Sequence, residues 1–205
     1  GYLALLSLAP GVLAPNQMAT AALTLNLVVA GVGLIAFARA GHFRIQLTWP
    51  FLAASVPAAF LGGMTLVSTR VYAILLAVAL LVAALRLLMT ARQQQVPSVR
   101  SPALVVAVPV GAGIGWLSGV IGVGGGIFLS PLLLLRGWAT VKQTAAASAC
   151  FILVNSVSGW AGRVARGAIE YGTLWPLLIA AFAGGLAGSR LGAHYFSGTL
   201  LRRLL

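Results

Sequence analysis

The sequence predicts an all-α membrane protein, a polytopic bundle of transmembrane helices built from two homologous repeats. Of its 205 residues, 60% are hydrophobic and only 7% are charged, whereas roughly a quarter of the residues in soluble domains are charged. The mean hydropathy is +1.05. Each of the longer apolar runs has about the twenty residues that cross a bilayer core: Met18–Ala38, Leu47–Leu66, Val71–Met89, Ala103–Ile121, Thr144–Ala161 and Leu174–Leu191.

Shorter segments separate these runs along the chain. A short apolar piece, Tyr2–Leu13, precedes the first run, and the loop Arg39–Gln46 separates the first two runs. Arg70 precedes the third run, and the basic stretch 91–101 precedes the fourth. A second short apolar piece, Ile127–Leu135, cannot span a bilayer as a straight helix that rises about 1.5 Å per residue.

The two halves of the chain repeat each other with an offset of 126 residues. Residues Gly11–Gly62 align with Gly137–Gly188 without a gap, and 13 of the 52 aligned positions are identical. Matches of leucine and alanine follow from composition, but spaced matches of Gln, Gly and Trp-Pro are much harder to obtain by chance. These informative matches are Gln17/Gln143, Gly33/Gly159, Gly41/Gly167, Trp49-Pro50/Trp175-Pro176 and Gly62/Gly188.

The repeat defines the expected organisation of the chain. Residues 1–90 are expected to form the first transmembrane repeat, 91–101 a basic cytoplasmic linker, and 102–205 the second repeat. By the same offset, the chain is expected to lack about one helix at each end, since a final span starts near Thr199 and stops at Leu205. The alternative is a short homologue whose ends have diverged.

The distribution of basic residues predicts the topology. The side with the loops 39–46 and 91–101 carries five basic residues against one, which assigns it to the cytoplasm. If Gly122–Trp138 makes a separate crossing, the cytoplasmic side carries ten basic residues and the other side three. If the segment is a re-entrant loop, the two sides carry seven and six. The charge count favours a crossing, which would make the two repeats inverted, as in many secondary transporters.

The segment Gly119–Trp138, GVIGVGGGIFLSPLLLLRGW, carries the most informative motif. It contains a cluster of four glycines, and each glycine costs a helix roughly 1 kcal/mol relative to alanine. Broken backbone is tolerated in a bilayer only where protein buries it or where it lines a water-filled cavity. The sequence therefore predicts a broken helix whose second half starts at the cluster formed by Gly122, Gly124, Gly125 and Gly126.

The N–H groups and the positive dipole end of that half-helix, Ile127–Leu135, would face an anion. Pro131 would shorten or kink it further. Close packing of helices is the alternative explanation for the cluster. Packing is the preferred explanation for the spaced glycines Gly111, Gly113, Gly115 and Gly119.

Polar side chains at the start of the next run supply further candidates. Ser148 and Asn155 lie seven residues apart and therefore share a helix face, which should point into the bundle. Substrate contact and helix-to-helix hydrogen bonding remain equal alternatives for this pair. An interfacial helix start explains Lys142 and Gln143 equally well. Gln17 and Asn26 are the candidates from the first repeat.

The remaining polar residues argue against other classes of protein. The basic residues lie between the apolar runs and form no single face, so nucleic-acid binding is not expected. Glu170 is the only acidic residue, which disfavours a carboxylate proton relay. No nucleophile–base pair, phosphate loop or metal cluster is visible, so neither an enzyme nor a cofactor is expected. The arginines Arg39, Arg163 and Arg166 are interpreted as ordinary cations at helix ends.

In GVIGVGGGIFLSPLLLL, QTAAASACFILVNSVSGWAGR and LWPLLIAAFAGGLAGSRLG, the chain resembles the TauE/SafE family, the sulfite exporter or "domain of unknown function 81" type. The resemblance implies about eight spans in two repeats and transport of small sulfur-containing anions across the inner membrane. Relative to that family pattern, the chain is expected to lack both ends, including the first repeat's glycine block. It also has AAASA, including Ala147 and Ser148, where many relatives have a Thr-Ser step.

We therefore expect a permease of sulfite, sulfonates or related anions in the bacterial inner membrane, with the bilayer and the anion as partners and a homo-oligomer left open. A non-transporting membrane scaffold that packs through small-residue faces and an ion-coupled carrier of another small solute are the alternatives. The expected anion site consists of Gly122, Gly124, Gly125, Gly126, Ile127, Lys142, Gln143, Ser148, Asn155, Gln17 and Asn26.

Overall fold

The computed structural model describes residues 15–91, 102–167 and 175–195, and these residues form helices and no strand. The helices are α1 (Pro15–Arg39), α2 (Ile45–Met64), α3 (Thr69–Ala91), α4 (Leu104–Ile121), α5 (Gly126–Leu135), α6 (Val141–Ala165) and α7 (Trp175–Arg190). A π-helical turn, Leu191–Tyr195, continues α7. The prediction of an all-α fold is confirmed. Five of the described helices are long and apolar enough to cross a membrane: α1, α2, α4, α6 and α7.

Some predicted segments lie outside the described residues. These are the apolar piece Tyr2–Leu13, the linker 91–101 apart from Ala91, the acidic residue Glu170, and the start of a final span at Thr199. The third predicted run, Val71–Met89, falls within α3.

The bounds of the helices follow the 126-residue offset of the sequence repeat. Helices α1 and α6 both have 25 residues and start at Pro15 and Val141. Helices α2 and α7 end at Met64 and Arg190. Gly41 and Gly167, a matched pair in the sequence, follow α1 and α6 with φ of 75° and 72°. Glycine recurs at these two positions because a left-handed residue terminates a helix there.

Glycines form the contact between α2 and α4. A Cβ atom at Gly111, Gly115 or Gly119 would overlap a backbone carbonyl of α2, at Phe51, Ser55 and Ala59 respectively. The contact advances by four residues along both helices, so α2 and α4 run parallel. The packing explanation is confirmed for these three glycines. It is wrong for Gly113, where no described atom lies within 4 Å of such a Cβ because the residue points to another face of α4.

Helix α6 runs parallel to α2 and antiparallel to α1. Ser158 donates a hydrogen bond of 2.6 Å to Val56 O, and farther along both helices Arg166 donates one of 2.9 Å to Thr65 O. Against α1 the order is reversed, since a Cβ at Gly33 would lie 3.7 Å from Ala149 Cβ and one at Gly31 would lie 3.9 Å from Leu153 Cδ1.

Helix α7 lies against α1, and its far end meets the start of α6. A Cβ at Gly185 would lie 3.5 Å from Val29 Cα. Lys142, at the start of α6, donates a hydrogen bond of 3.0 Å to Ala193 O, just beyond α7. Helix α7 therefore runs opposite to α2 and α6. Both pairs of repeat-equivalent helices, α1 with α6 and α2 with α7, point in opposite directions, which supports the predicted inversion of the repeats.

The packing of α2 on α4 leads to a test with a matched control two residues away. Gly115→Ala should lower the free energy of unfolding by about 1–3 kcal/mol, because the new methyl group must displace the backbone of Ser55. Gly113→Ala should be neutral or stabilising, since alanine favours the helix and the site has room. Thermal unfolding in detergent compares the two variants. Equal stability of both would contradict the glycine contact.

Candidate functional site

The glycine cluster breaks the helix between α4 and α5. Gly122, Gly124 and Gly125 have φ of 85°, 77° and 78°, a left-handed conformation that residues with side chains rarely adopt. Helix α4 ends before these residues, and α5 begins at Gly126. A Cβ at Gly125 would lie 2.8 Å from Ile114 Cγ2, so the chain turns back along α4 after the break. Helix α5 then leads to the start of α6.

Side chains from three other helices satisfy the carbonyl groups at the broken end of α4. Arg163 of α6 donates hydrogen bonds from Nη2 to Gly119 O at 2.9 Å and to Val120 O at 2.8 Å. Two further donors complete this end of the break: Tyr72 Oη of α3 bonds Ile121 O at 3.2 Å, and Asn26 Nδ2 of α1 bonds Gly122 O at 3.0 Å. The last four carbonyls of a helix have no partner within it. Here these side chains supply the donors.

Arg163 is part of this site, and its interpretation as an ordinary cation at a helix end is wrong. Only 1% of its surface is exposed. Helix α6 continues to Ala165, beyond the predicted end at Ala161, so the side chain stays inside the bundle. Its positive charge lies at the negative end of the dipole of α4 and stabilises that end.

The amide end of the break differs from the carbonyl end. Gly124, Gly125 and Gly126 are buried. No backbone carbonyl of the described residues accepts a hydrogen bond from the amide groups of residues 123–127. An N–H group buried without any acceptor costs roughly 1–3 kcal/mol of stability, so these amides need a partner from a side chain or from a ligand. The positive dipole end of α5 lies at the same place, so this end of the break favours a negatively charged or oxygen-rich ligand.

Polar side chains of α1 and α6 surround the amide end. A Cβ at Gly124 would lie 2.9 Å from Asn26 Nδ2 and 3.3 Å from Ser156 Oγ. Ser156 Oγ and Asn155 Oδ1 are buried and have no hydrogen-bond partner among the described residues. Asn155 Nδ2 donates to Phe151 O of its own helix at 2.9 Å. The glycine turn therefore lies beside a buried polar patch of α1 and α6.

A cavity of about 470 Å³ lies between α1, α6 and α7 and reaches this patch. Asn26 and Ser148 line it, and its other walls are largely apolar or glycine. Ser148 Oγ lies 2.8 Å from Ser130 Oγ of α5, and Ser130 donates a hydrogen bond of 2.9 Å to Gly126 O. Hydrogen bonds therefore connect the wall of the cavity to the first turn of α5.

The structure brings some of the predicted site residues together and separates others. Asn26 and Ser148 lie near the glycine turn, Ile127 is in the first turn of α5, and Asn155 is buried on α6 next to Ser156. Gln143 instead caps α6, since it exchanges hydrogen bonds with Thr140. Lys142 binds the carbonyl beyond α7. Gln17 is half-buried near the start of α1. A part for Lys142, Gln143 and Gln17 in the anion path stays a prediction.

Sequence reasoning missed the side chains that complete the break. These side chains are Tyr72, Ser130 and Ser156, which lie within apolar stretches, and Arg163, which follows one. Each of them contacts the break or lies beside it. The signal for Arg163 was its place shortly after a glycine-rich apolar run. Nothing in the local sequence distinguishes Tyr72 from an interfacial tyrosine.

Comparisons with known proteins indicate a membrane transporter. The family described as "Sulfite exporter TauE/SafE" matches residues 2–205 of the chain. The chain is also 35% identical over 209 residues to the "Probable membrane transporter protein y4hK" of Sinorhizobium fredii (strain NBRC 101917 / NGR234). That alignment covers 100% of this chain and 83% of the relative. No solved structure matches the chain.

Proposed function

The chain belongs to the sulfite exporter TauE/SafE family and is an integral membrane transporter, and we propose that it carries small sulfur-containing anions across the bacterial inner membrane. Sulfite and organic sulfonates are the proposed substrates. The proposed site is the amide end of the helix break, with Asn26, Ser148, Asn155 and Ser156 around it.

The unequal ends of the helix break carry this proposal. Protein donors from Arg163, Tyr72 and Asn26 satisfy the carbonyl end. The amide groups of residues 123–127 have no backbone acceptor among the described residues, although three of the glycines there are buried. Such an arrangement accommodates an acceptor-rich ligand, and an oxyanion offers several acceptor oxygens at once. The helix dipole of α5 adds a favourable interaction with its charge.

The charge of the chain favours an anion over a cation. The chain has 13 Lys and Arg residues and one acidic residue, and the described residues contain no Asp or Glu. A small cation at the glycine turn would find amide donors and the positive end of a helix there. These groups suit an anion, and no described residue is a carboxylate that would repel it.

The volume and the lining of the neighbouring cavity suit a small anion, with or without an organic tail. Its volume of about 470 Å³ lies in the range of small-molecule sites, roughly 300–1,000 Å³. Its walls include Val29, Phe37 and Ile152, which suit an apolar tail. Asn26 lines the side of the cavity that faces the glycine turn. An organic sulfonate would place its oxygens at the turn and its tail in the cavity.

Uptake into vesicles tests the proposal. The purified protein is reconstituted into liposomes, and entry of labelled sulfite and of a short alkyl sulfonate is compared with entry into protein-free liposomes. We expect protein-dependent entry of at least one of these anions, reduced by an excess of the unlabelled anion. A scaffold would give no flux, and absence of flux for every sulfur anion tested, in either direction, would contradict the proposal.

A further inference from the structure

A second depression lies between α1 and α7, apart from the cavity at the glycine turn. Its volume is about 370 Å³, and none of its lining residues lines the larger cavity. We call it the α1–α7 groove. Its lining residues are Val32, Ile35, Ala36, Arg39, Phe182, Leu186 and Arg190. Five of these seven residues are apolar and the other two are arginines, so the groove combines an apolar wall with cationic groups.

Both arginines of the groove are terminal residues of their helices. Arg39 is the last residue of α1 and Arg190 the last residue of α7. Both side chains are exposed. None of the described residues is an Asp or a Glu. Among the residues that the structure describes, this pair of cations therefore has no acidic partner.

The apolar wall determines which anion suits the groove. Ile35 and Phe182 are 54% and 48% exposed, and they face the space that α1 and α7 leave open. A free inorganic anion would use the arginines and leave this apolar surface unused. A phospholipid uses both parts, because its phosphate is anionic and its acyl chains are apolar. Basic pockets between membrane helices are typical sites for anionic lipid headgroups.

We propose that the α1–α7 groove binds an anionic phospholipid of the surrounding bilayer. Its phosphate pairs with Arg39 and Arg190, and one acyl chain lies along Ile35, Phe182 and Leu186. The distribution of basic residues assigns this end of α1 to the cytoplasmic side, where anionic lipids attract cationic side chains.

The lipid would hold α7 against the rest of the bundle. Only 11% of the membrane-crossing segment of α7 is buried, the smallest fraction among the described spans. The same helix supplies Gly184, Gly185 and Gly188 to the wall of the larger cavity. A lipid that bridges the ends of α1 and α7 therefore stabilises one wall of the proposed transport path.

Native mass spectrometry of the purified protein tests the site with defined lipids. The protein is titrated with phosphatidylglycerol or with phosphatidylcholine of the same acyl chains. We expect preferential retention of phosphatidylglycerol. The double variant Arg39→Gln/Arg190→Gln should bind it on the order of 30-fold more weakly, because each arginine near the headgroup contributes a factor of about five. Arg44→Gln is the matched control, since Arg44 follows Arg39 closely in the chain and is also exposed but does not line the groove.

A second variant tests the apolar wall without changing the charge. Ala36→Phe places a ring in the groove, and we expect it to lose phosphatidylglycerol while both arginines remain. Inorganic phosphate should raise the melting temperature of the wild type far less than phosphatidylglycerol does. Retention of the lipid by Ala36→Phe, equal binding by the double variant and Arg44→Gln, or equal stabilisation by inorganic phosphate would each overturn the proposal.

Discussion

Replacing Arg163 by methionine should lower the free energy of unfolding by about 3–5 kcal/mol, more than any other single change that we propose. Methionine keeps the length and much of the volume of the side chain but removes both donors. The carbonyl oxygens of Gly119 and Val120 would then be buried without their hydrogen bonds. The positive charge at the negative end of α4 would also disappear. Thermal unfolding in detergent, followed by tryptophan fluorescence, measures the loss.

Arg166 provides the control for that experiment. It lies three residues farther along the chain and donates a hydrogen bond of 2.9 Å to Thr65 O, at the partly buried end of α2. Arg166→Met should therefore cost about 1–2 kcal/mol. Arg163→Lys should recover part of the stability, because an ammonium group supplies donors and charge. If Arg163→Met is as stable as the wild type, the guanidinium group contributes no net stability to the helix break.

Replacing Gly125 by alanine should reduce transport of the sulfur anion by at least about tenfold. At φ of 78° an alanine is strained, at a cost of roughly 1–2 kcal/mol. Its Cβ would also lie 2.8 Å from Ile114 Cγ2 and from Phe151 Cε1. The turn must shift to relieve the backbone strain and these close contacts, and the amide groups at the start of α5 would move with it. Initial rates of uptake into liposomes measure the effect.

Gly113→Ala is the matched control for the transport assay as well, because Gly113 lies on α4 where no described atom would contact the new methyl group. It should transport at the wild-type rate. The amount of Gly125→Ala in the liposomes is measured so that flux is compared per folded protein. Unchanged flux in Gly125→Ala would exclude the glycine turn as the binding site. The scaffold alternative predicts no flux from any of these proteins.

Several features of the fold could be predicted because they depend on local sequence. The length of an apolar run determines whether it can cross a bilayer as a helix, and the predicted runs correspond to α1, α2, α3, α4, α6 and α7. The glycine cluster predicted the break, because left-handed φ values at Gly122, Gly124 and Gly125 exclude most other residues. The end of the half-helix at Leu135 was also predicted correctly.

The candidate site could be predicted only in part. Asn26 and Ser148 were chosen for their polarity within apolar runs, and they do lie near the break. The same reasoning could not separate them from Gln143, whose side chain caps its own helix. A polar residue near a helix start serves as a cap or as part of a site, depending on which helices pack beside it. Local sequence does not contain that information.

The sequence alone determined that this chain is a helical membrane protein with an interrupted helix, because hydropathy and backbone freedom are properties of neighbouring residues. Tertiary structure alone decided how the interruption is stabilised. The donors to its carbonyls are 44 and 43 residues away at Arg163, 49 at Tyr72 and 96 at Asn26. A broken helix must find its hydrogen bonds on neighbouring helices because lipid offers none. Which side chains reach the break depends on how the helices pack. The difference between the carbonyl end, which side chains satisfy, and the amide end, which has no backbone acceptor among the described residues, therefore emerges only in the folded bundle.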